Sequence, residues 1–75
     1  DRAGIVAQVT AALAASGFNI LDLESDVAGT RQKPVYIMQI AGVADVALEA
    51  IERVLEPLRQ EGVDVNVSAI DTYIG

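Results

Sequence analysis

Apolar positions recur every three or four residues near the start of the chain. The repeating set is Ile5, Val9, Ala12, Leu13 and Ser16. Because positions three and four apart share one face of a helix, this spacing predicts a first helix over residues 4–16. Gly17 follows the set and predicts the helix end, since glycine readily adopts the positive φ common just after a helix.

Apolar and polar residues then alternate with the period of two that indicates half-buried strands. The first such segment is 19–27, where Leu21, Leu23 and Val27 are expected on one face and Asp22, Glu24 and Asp26 on the other. A polar connector at 28–33 precedes a second strand over 34–41, which is rich in β-branched and aromatic residues. The two segments predict a hairpin with a loose loop.

A second helix and a last strand complete the pattern. Residues 42–45 break the strand pattern, and Asp45 is the predicted N-cap of a helix over 46–60. Pro57 predicts a bend or a loosened last turn, because proline cannot donate to the carbonyl of Arg53. Gly62 is expected to end the helix before a strand over 63–70. The apolar residues at helical spacing in this second helix are predicted to be buried, namely Leu48, Ile51, Leu55 and Leu58.

The resulting order, α-β-β-α-β, matches a ferredoxin-like βαββαβ fold of the α+β class without its first strand. Such a fold has an antiparallel sheet with both helices on one face. The length of 75 residues fits one domain over 1–75, and the early start of the first helix predicts a chain truncated on its N-terminal side.

Composition narrows the possible functions. The net charge of −6 and the scattered basic residues argue against direct nucleic-acid binding. The chain has no histidine or cysteine, so the usual acid–base catalysts and thiolate metal ligands are missing, and the lack of cysteine fits the cytoplasm. No apolar run suits a membrane span. A hydrophobic content of 52% is high for one small core and predicts a homodimer.

Two groups of residues are candidates for binding. Asp22, Glu24 and Asp26 could hold a divalent cation, but acids on a strand also form an ordinary solvated face. The segment 1–5 and Asn19 could form a ligand site, since Gly4 permits close backbone approach and a helix N-terminus attracts a carboxylate. Gly4 could equally make a tight turn, and Asn19 could satisfy backbone groups. No nucleophile triad is recognisable, so we expect no catalysis.

The segments Asp1-Arg2-Ala3-Gly4-Ile5 and Gly17-Phe18-Asn19-Ile20 resemble the signature of the ACT family of regulatory domains. The resemblance implies an allosteric, non-catalytic module that binds an amino acid between paired βαββαβ units, without a cofactor or metal. It implies ligand-binding roles for five residues, namely Asp1, Arg2, Gly4, Ile5 and Asn19. Ala3 stands where family members usually have proline, which implies a less rigid loop.

In the family's topology, the first strand, which is absent here, lies between the strands that correspond to residues 34–41 and 63–70. The resemblance therefore implies a gap in the sheet beside residues 63–70, to be filled by an upstream strand or by another chain. Without that strand, we expect the segment to be unfolded or aggregated on its own.

Residues 24–40, with Pro34 and Tyr36, are most similar to glycine cleavage system transcriptional regulators. They are less similar to the ACT region that precedes formyltetrahydrofolate deformylases. Two alternatives stay open at this point. One is a dimerisation domain that has lost its ligand, and the other is a regulatory appendage of a metabolic enzyme.

Overall fold

The computed structural model describes residues 2–70. It contains two helices, α1 (Arg2–Ala15) and α2 (Leu48–Gln60). Three strands accompany them: β1 (Phe18–Gly29), β2 (Pro34–Ala44) and β3 (Val63–Ala69). The predicted order and the α+β class are confirmed. Neither of the two helices is long and apolar enough to cross a membrane.

The three strands form one sheet in the order β1-β2-β3. β1 and β2 are antiparallel, as the predicted hairpin requires, and Gly29 lies opposite Pro34. β2 and β3 are parallel and pair from Tyr36↔Val63 to Gly42↔Ala69. The sheet is therefore mixed, and the prediction of an antiparallel sheet is wrong.

The predicted gap beside β3 is therefore wrong. The two strands that would flank an inserted strand pair directly with each other, with α2 as the crossover that a parallel pair needs. Direct pairing satisfies backbone groups that would otherwise cost about 1–3 kcal/mol each if buried without a partner.

Both helices pack on the same face of the sheet around one core. Its buried members come from all five elements and are Val9, Leu13, Phe18, Met38, Ile40, Ile51, Leu55, Leu58, Val63 and Val65. Leu48 was expected among them but is 41% exposed, because α2 begins at this residue and its side chain lies at the rim.

β1 contains an irregularity near its start. The register with β2 shifts between Ile20 and Asp22, so Leu21 is an extra residue on β1. Leu23 packs against the core, whereas Leu21 is 58% exposed. The prediction that Leu21 and Leu23 share a buried face is wrong, because the bulge changes the alternation between them.

β2 does not end at Ala41, before Gly42, as predicted but continues to Ala44. Gly42 lies opposite Ile20, where a Cβ would clash with the carbonyl oxygen of Asn19 and lie 2.7 Å from Cε2 of Phe18. The glycine is thus a close-packing position within the strand.

The start and end of α2 also differ in part from expectation. Asp45 is not the N-cap: its N–H donates to the carbonyl of Gly17 at 2.9 Å, and Ala47 occupies the cap without a side-chain hydrogen bond. The helix continues through Pro57 to Gln60. Gly62 follows with φ +97°, which confirms it as the residue that ends the helix.

Candidate functional site

The first turn of α1 contains three of the predicted ligand-binding residues, while Asp1 lies outside the described residues. α1 begins at Arg2, so Gly4 lies inside the helix, and its predicted role in a tight turn is wrong. Arg2 and Gly4 are exposed, and Ile5 is half-buried against the core. Backbone N–H groups in the first turn of a helix point away from its body and favour anions. This end of α1 thus has the chemistry to attract a carboxylate.

Arg2 connects this helix end to the sheet. Its Nη2 donates to the carbonyl oxygen of Ser25 at 2.6 Å. The N–H of Thr30 donates to the carbonyl of Lys33 across the hairpin. Because every second residue of an antiparallel strand bonds to the same neighbouring strand, the residues two and four positions before Thr30 also face β2, and Ser25 turns its backbone groups away from β2. Its carbonyl therefore lies on the outer edge of β1, and Arg2 contacts that edge at this one residue. Sequence reasoning missed this contact, since nothing in the local pattern links residues so far apart.

Asn19 lies at the opposite end of α1. It is exposed on β1 and pairs with Val43 of β2. The part of α1 from Gly4 to Ala15 rises about 16 Å, so Asn19 lies about that far from Gly4 along the helix axis. One chain therefore does not bring Asn19 together with the first turn, and a small ligand cannot touch both within one copy.

Leu21 is a feature of this region that sequence reasoning did not single out. It is the most exposed large apolar side chain among residues 2–70 and lies at the bulge between the two halves of the predicted site. The consecutive apolar residues Ile20 and Leu21 break the period of two, which is the signal that could have indicated a bulge here.

The acidic residues of β1 are exposed. Asp22, Glu24 and Asp26 alternate with half-buried Leu23 and Ser25, so they lie on the sheet face opposite the helices. Within residues 2–70, no group of three or more carboxylates has the geometry to hold a metal ion. The solvated-face interpretation thus describes these residues better than a metal site.

No curated protein and no solved structure matches the chain. A family model described as ACT domain matches residues 1–61. Domains of this kind are generally regulatory modules that bind small molecules and are not catalytic. The match covers most of the 75 residues and agrees with the α+β fold, so the chain belongs to the ACT domain family.

Proposed function

We propose that the protein is a regulatory module that binds an amino acid between two copies of the chain and controls a partner domain or protein. The observation that carries the proposal is the separation of about 16 Å between the two halves of the predicted site. Each half alone offers few contacts. A symmetric dimer brings unlike ends of two chains together.

A two-fold axis beside β1 is the arrangement that joins the two halves. If two β1 edges run antiparallel, Asn19 of one copy lies beside the Ser25 end of the other, where Arg2 and Gly4 are located. Each dimer then has two equivalent sites. Leu21 lies between them and, at 58% exposure, offers an apolar side chain for burial at the axis.

The polar groups that the two copies of the chain would contribute to each site suit an amino acid. The positive end of α1 and the Arg2 guanidinium favour the ligand's carboxylate, and the amide oxygen of Asn19 can accept from its ammonium group. One N–H group of Arg2 donates to Ser25, and a guanidinium has five N–H donors in total. Ile5, half-buried at the same helix end, would contact the ligand's side chain.

The dimer is tested by sedimentation of the protein and of Leu21→Glu. We expect a dimer that buries about 1,200 Å² or more, and a monomer when a carboxylate replaces Leu21 at the axis. Val54→Glu is the control, since Val54 is 36% exposed on α2, away from this edge, and should leave the dimer intact. A wild-type monomer at micromolar concentration would contradict the proposal.

Ligand binding is tested by calorimetric screening of amino acids. For an amino acid that binds, Gly4→Val should abolish binding by blocking backbone approach, and Asn19→Ala should weaken it by about 1–3 kcal/mol. Asn66→Ala, an exposed change on β3, is the control. If both site variants bind as well as the wild type while keeping its circular dichroism, the site lies elsewhere.

One observation favours a second function, a structural dimerisation domain without a ligand. The Arg2 side chain already contacts the Ser25 carbonyl, which is a structural role for one predicted ligand-binding residue. A dimer that binds none of the amino acids would support this alternative.

We further propose that the protein belongs with glycine cleavage system regulators, on the basis of Pro34 and Tyr36 within residues 24–40, and glycine is therefore the first amino acid to screen. A regulatory appendage of an enzyme such as a formyltetrahydrofolate deformylase is the alternative context.

We place the protein in the cytoplasm because it lacks cysteine, and cell fractionation tests that placement.

A further inference from the structure

The sheet face opposite the helices, which we term the open face, has an apolar centre. Both helices pack against the other face, and no element of residues 2–70 covers this one. Along β2, buried Met38 and Ile40 alternate with side chains that point to the open face. This central row consists of Val35, Ile37, Gln39, Ala41 and Val43.

Carboxylates lie on both sides of the central row. The strand registers place Ile37 between Asp26 of β1 and Asp64 of β3, and they place Gln39 beside Glu24. Asp22 continues the β1 side next to Ala41. The open face thus has a mostly apolar central row, with three acids along β1 and a single acid, Asp64, on β3.

These carboxylates have no cationic partners among residues 2–70. Both ion pairs of that part of the chain involve Arg59, with Glu52 and Glu56. None of the three strands contains a lysine or arginine. The acids of the open face therefore carry negative charge that the described part of the chain does not neutralise.

The open face is also grooved on each side of Gln39. A depression of about 140 Å³ is lined by residues that include Asp22, Glu24 and Ser68. A second, of about 430 Å³, is lined by residues that include Glu24, Asp26 and Ile37. Both have room for side chains of an occupant.

The dimensions of the open face match an α-helix. Neighbouring strands are about 4.8 Å apart, so the β1 and β3 borders are about 10 Å from each other, which is the diameter of a helix with its side chains. The central row is about 26 Å long, the length of a helix of about 18 residues.

We propose that the open face docks a basic amphipathic helix of another protein, with an apolar stripe over β2 and lysines or arginines over the three acids of β1 and over Asp64 of β3. A second copy of the chain is a poor occupant, because two open faces would set acids against acids. Nucleic acid is excluded by the same charge. This surface is distinct from the β1 edge of the proposed dimer.

The test is titration calorimetry of the protein with a synthetic helical peptide of about 18 residues that has a leucine stripe flanked by lysines. We expect one peptide per chain. Binding should weaken at least about tenfold for the double variant Glu24→Gln/Asp64→Asn and also for Ile37→Ser. A peptide with glutamate in place of every lysine should not bind.

The matched control is Glu49→Gln/Glu61→Gln, which removes the same two charges from exposed positions outside the sheet. It should change the affinity by less than about twofold. Equal weakening by both double variants would mean unspecific attraction to an acidic protein and would overturn the proposal. Failure of the lysine peptide to bind, or loss of the dimer in Ile37→Ser, would also overturn it.

Discussion

Arg59 of α2 donates two hydrogen bonds to the carbonyl oxygen of Val65 in β3, from Nε at 3.3 Å and from Nη2 at 2.8 Å. Its Nη1 donates to Oε1 of Glu52 at 2.5 Å. Gly62 and Ile70 both form backbone hydrogen bonds with β2. Because every second residue of a parallel strand bonds to the same neighbouring strand, the even-numbered residues of β3 face β2, and the carbonyl of Val65 points to the outer edge of β3. The arginine thus ties α2 to β3 and covers that edge at its middle.

Replacing Arg59 with methionine should lower the free energy of unfolding by about 1 kcal/mol, because the Val65 carbonyl loses both donors while the apolar stem is kept. Urea denaturation measures the change. Glu52→Gln is the companion variant and should cost less than about 0.5 kcal/mol, since the Glu52 side chain is 43% exposed and water screens the pair. If the two variants cost the same, the ion pair and not the carbonyl contact is the important interaction.

Leu55 should be among the most sensitive core positions. It is fully buried between α2 and the sheet, so Leu55→Ala should destabilise the protein by about 2–5 kcal/mol through lost burial and a cavity. The neighbouring Val54→Ala should stay within about 0.5 kcal/mol, because Val54 is exposed. An unchanged urea midpoint for Leu55→Ala would contradict the placement of α2.

Gly42→Ala should destabilise the protein by about 1–3 kcal/mol, because the added methyl group has to push away the Asn19 backbone or the Phe18 ring. Thermal unfolding measures the loss. Ala41→Ser, one position along β2 on the open face, should be nearly neutral. A stable Gly42→Ala protein would show that β1 does not approach Gly42 of β2 closely.

Amide exchange tests the direct pairing of β2 with β3. The N–H groups of Asp64, Asn66 and Ser68 should be protected, since these residues face β2, while those of Val63 and Val67 should exchange faster. Uniform protection along β3 would reveal another strand on its outer edge. Fast exchange at all of these residues would show that the pair does not form.

The local pattern was sufficient to predict most of the elements. The spacing of Val9 and Leu13 and the glycine at 17 located α1, because helical periodicity and a C-terminal glycine are local signals. The same holds for Ile51 and Leu55 in α2.

Errors arose where a distant contact decides the conformation. Gly42 suggested a break, yet it serves close packing against Phe18, and Asp45 suggested a cap, yet its backbone bonds to Gly17. Neither contact is visible in the local sequence.

The sequence indicates that the segment 1–5 lies at the start of a helix, but it does not show how the candidate residues are arranged in space. Arg2 and Gly4 do lie at a helix N-terminus, but Asn19 is at the far end of the same helix. The length of α1 sets this separation, and the helix predicted over 4–16 already implies it, whereas the contact of Arg2 with Ser25 depends on how α1 lies along β1.

The parallel pairing of β2 with β3 also has a consequence for the order of folding. The β1–β2 hairpin closes over a short turn, whereas β3 reaches β2 only after α2 has formed the crossover, so its loop-closure entropy is larger. We expect the hairpin to form early and β3 to dock late, which pulse-labelled exchange during refolding would detect. Until β3 docks, the β2 edge stays open, and that interval is when the chain is most prone to pair with another copy and aggregate.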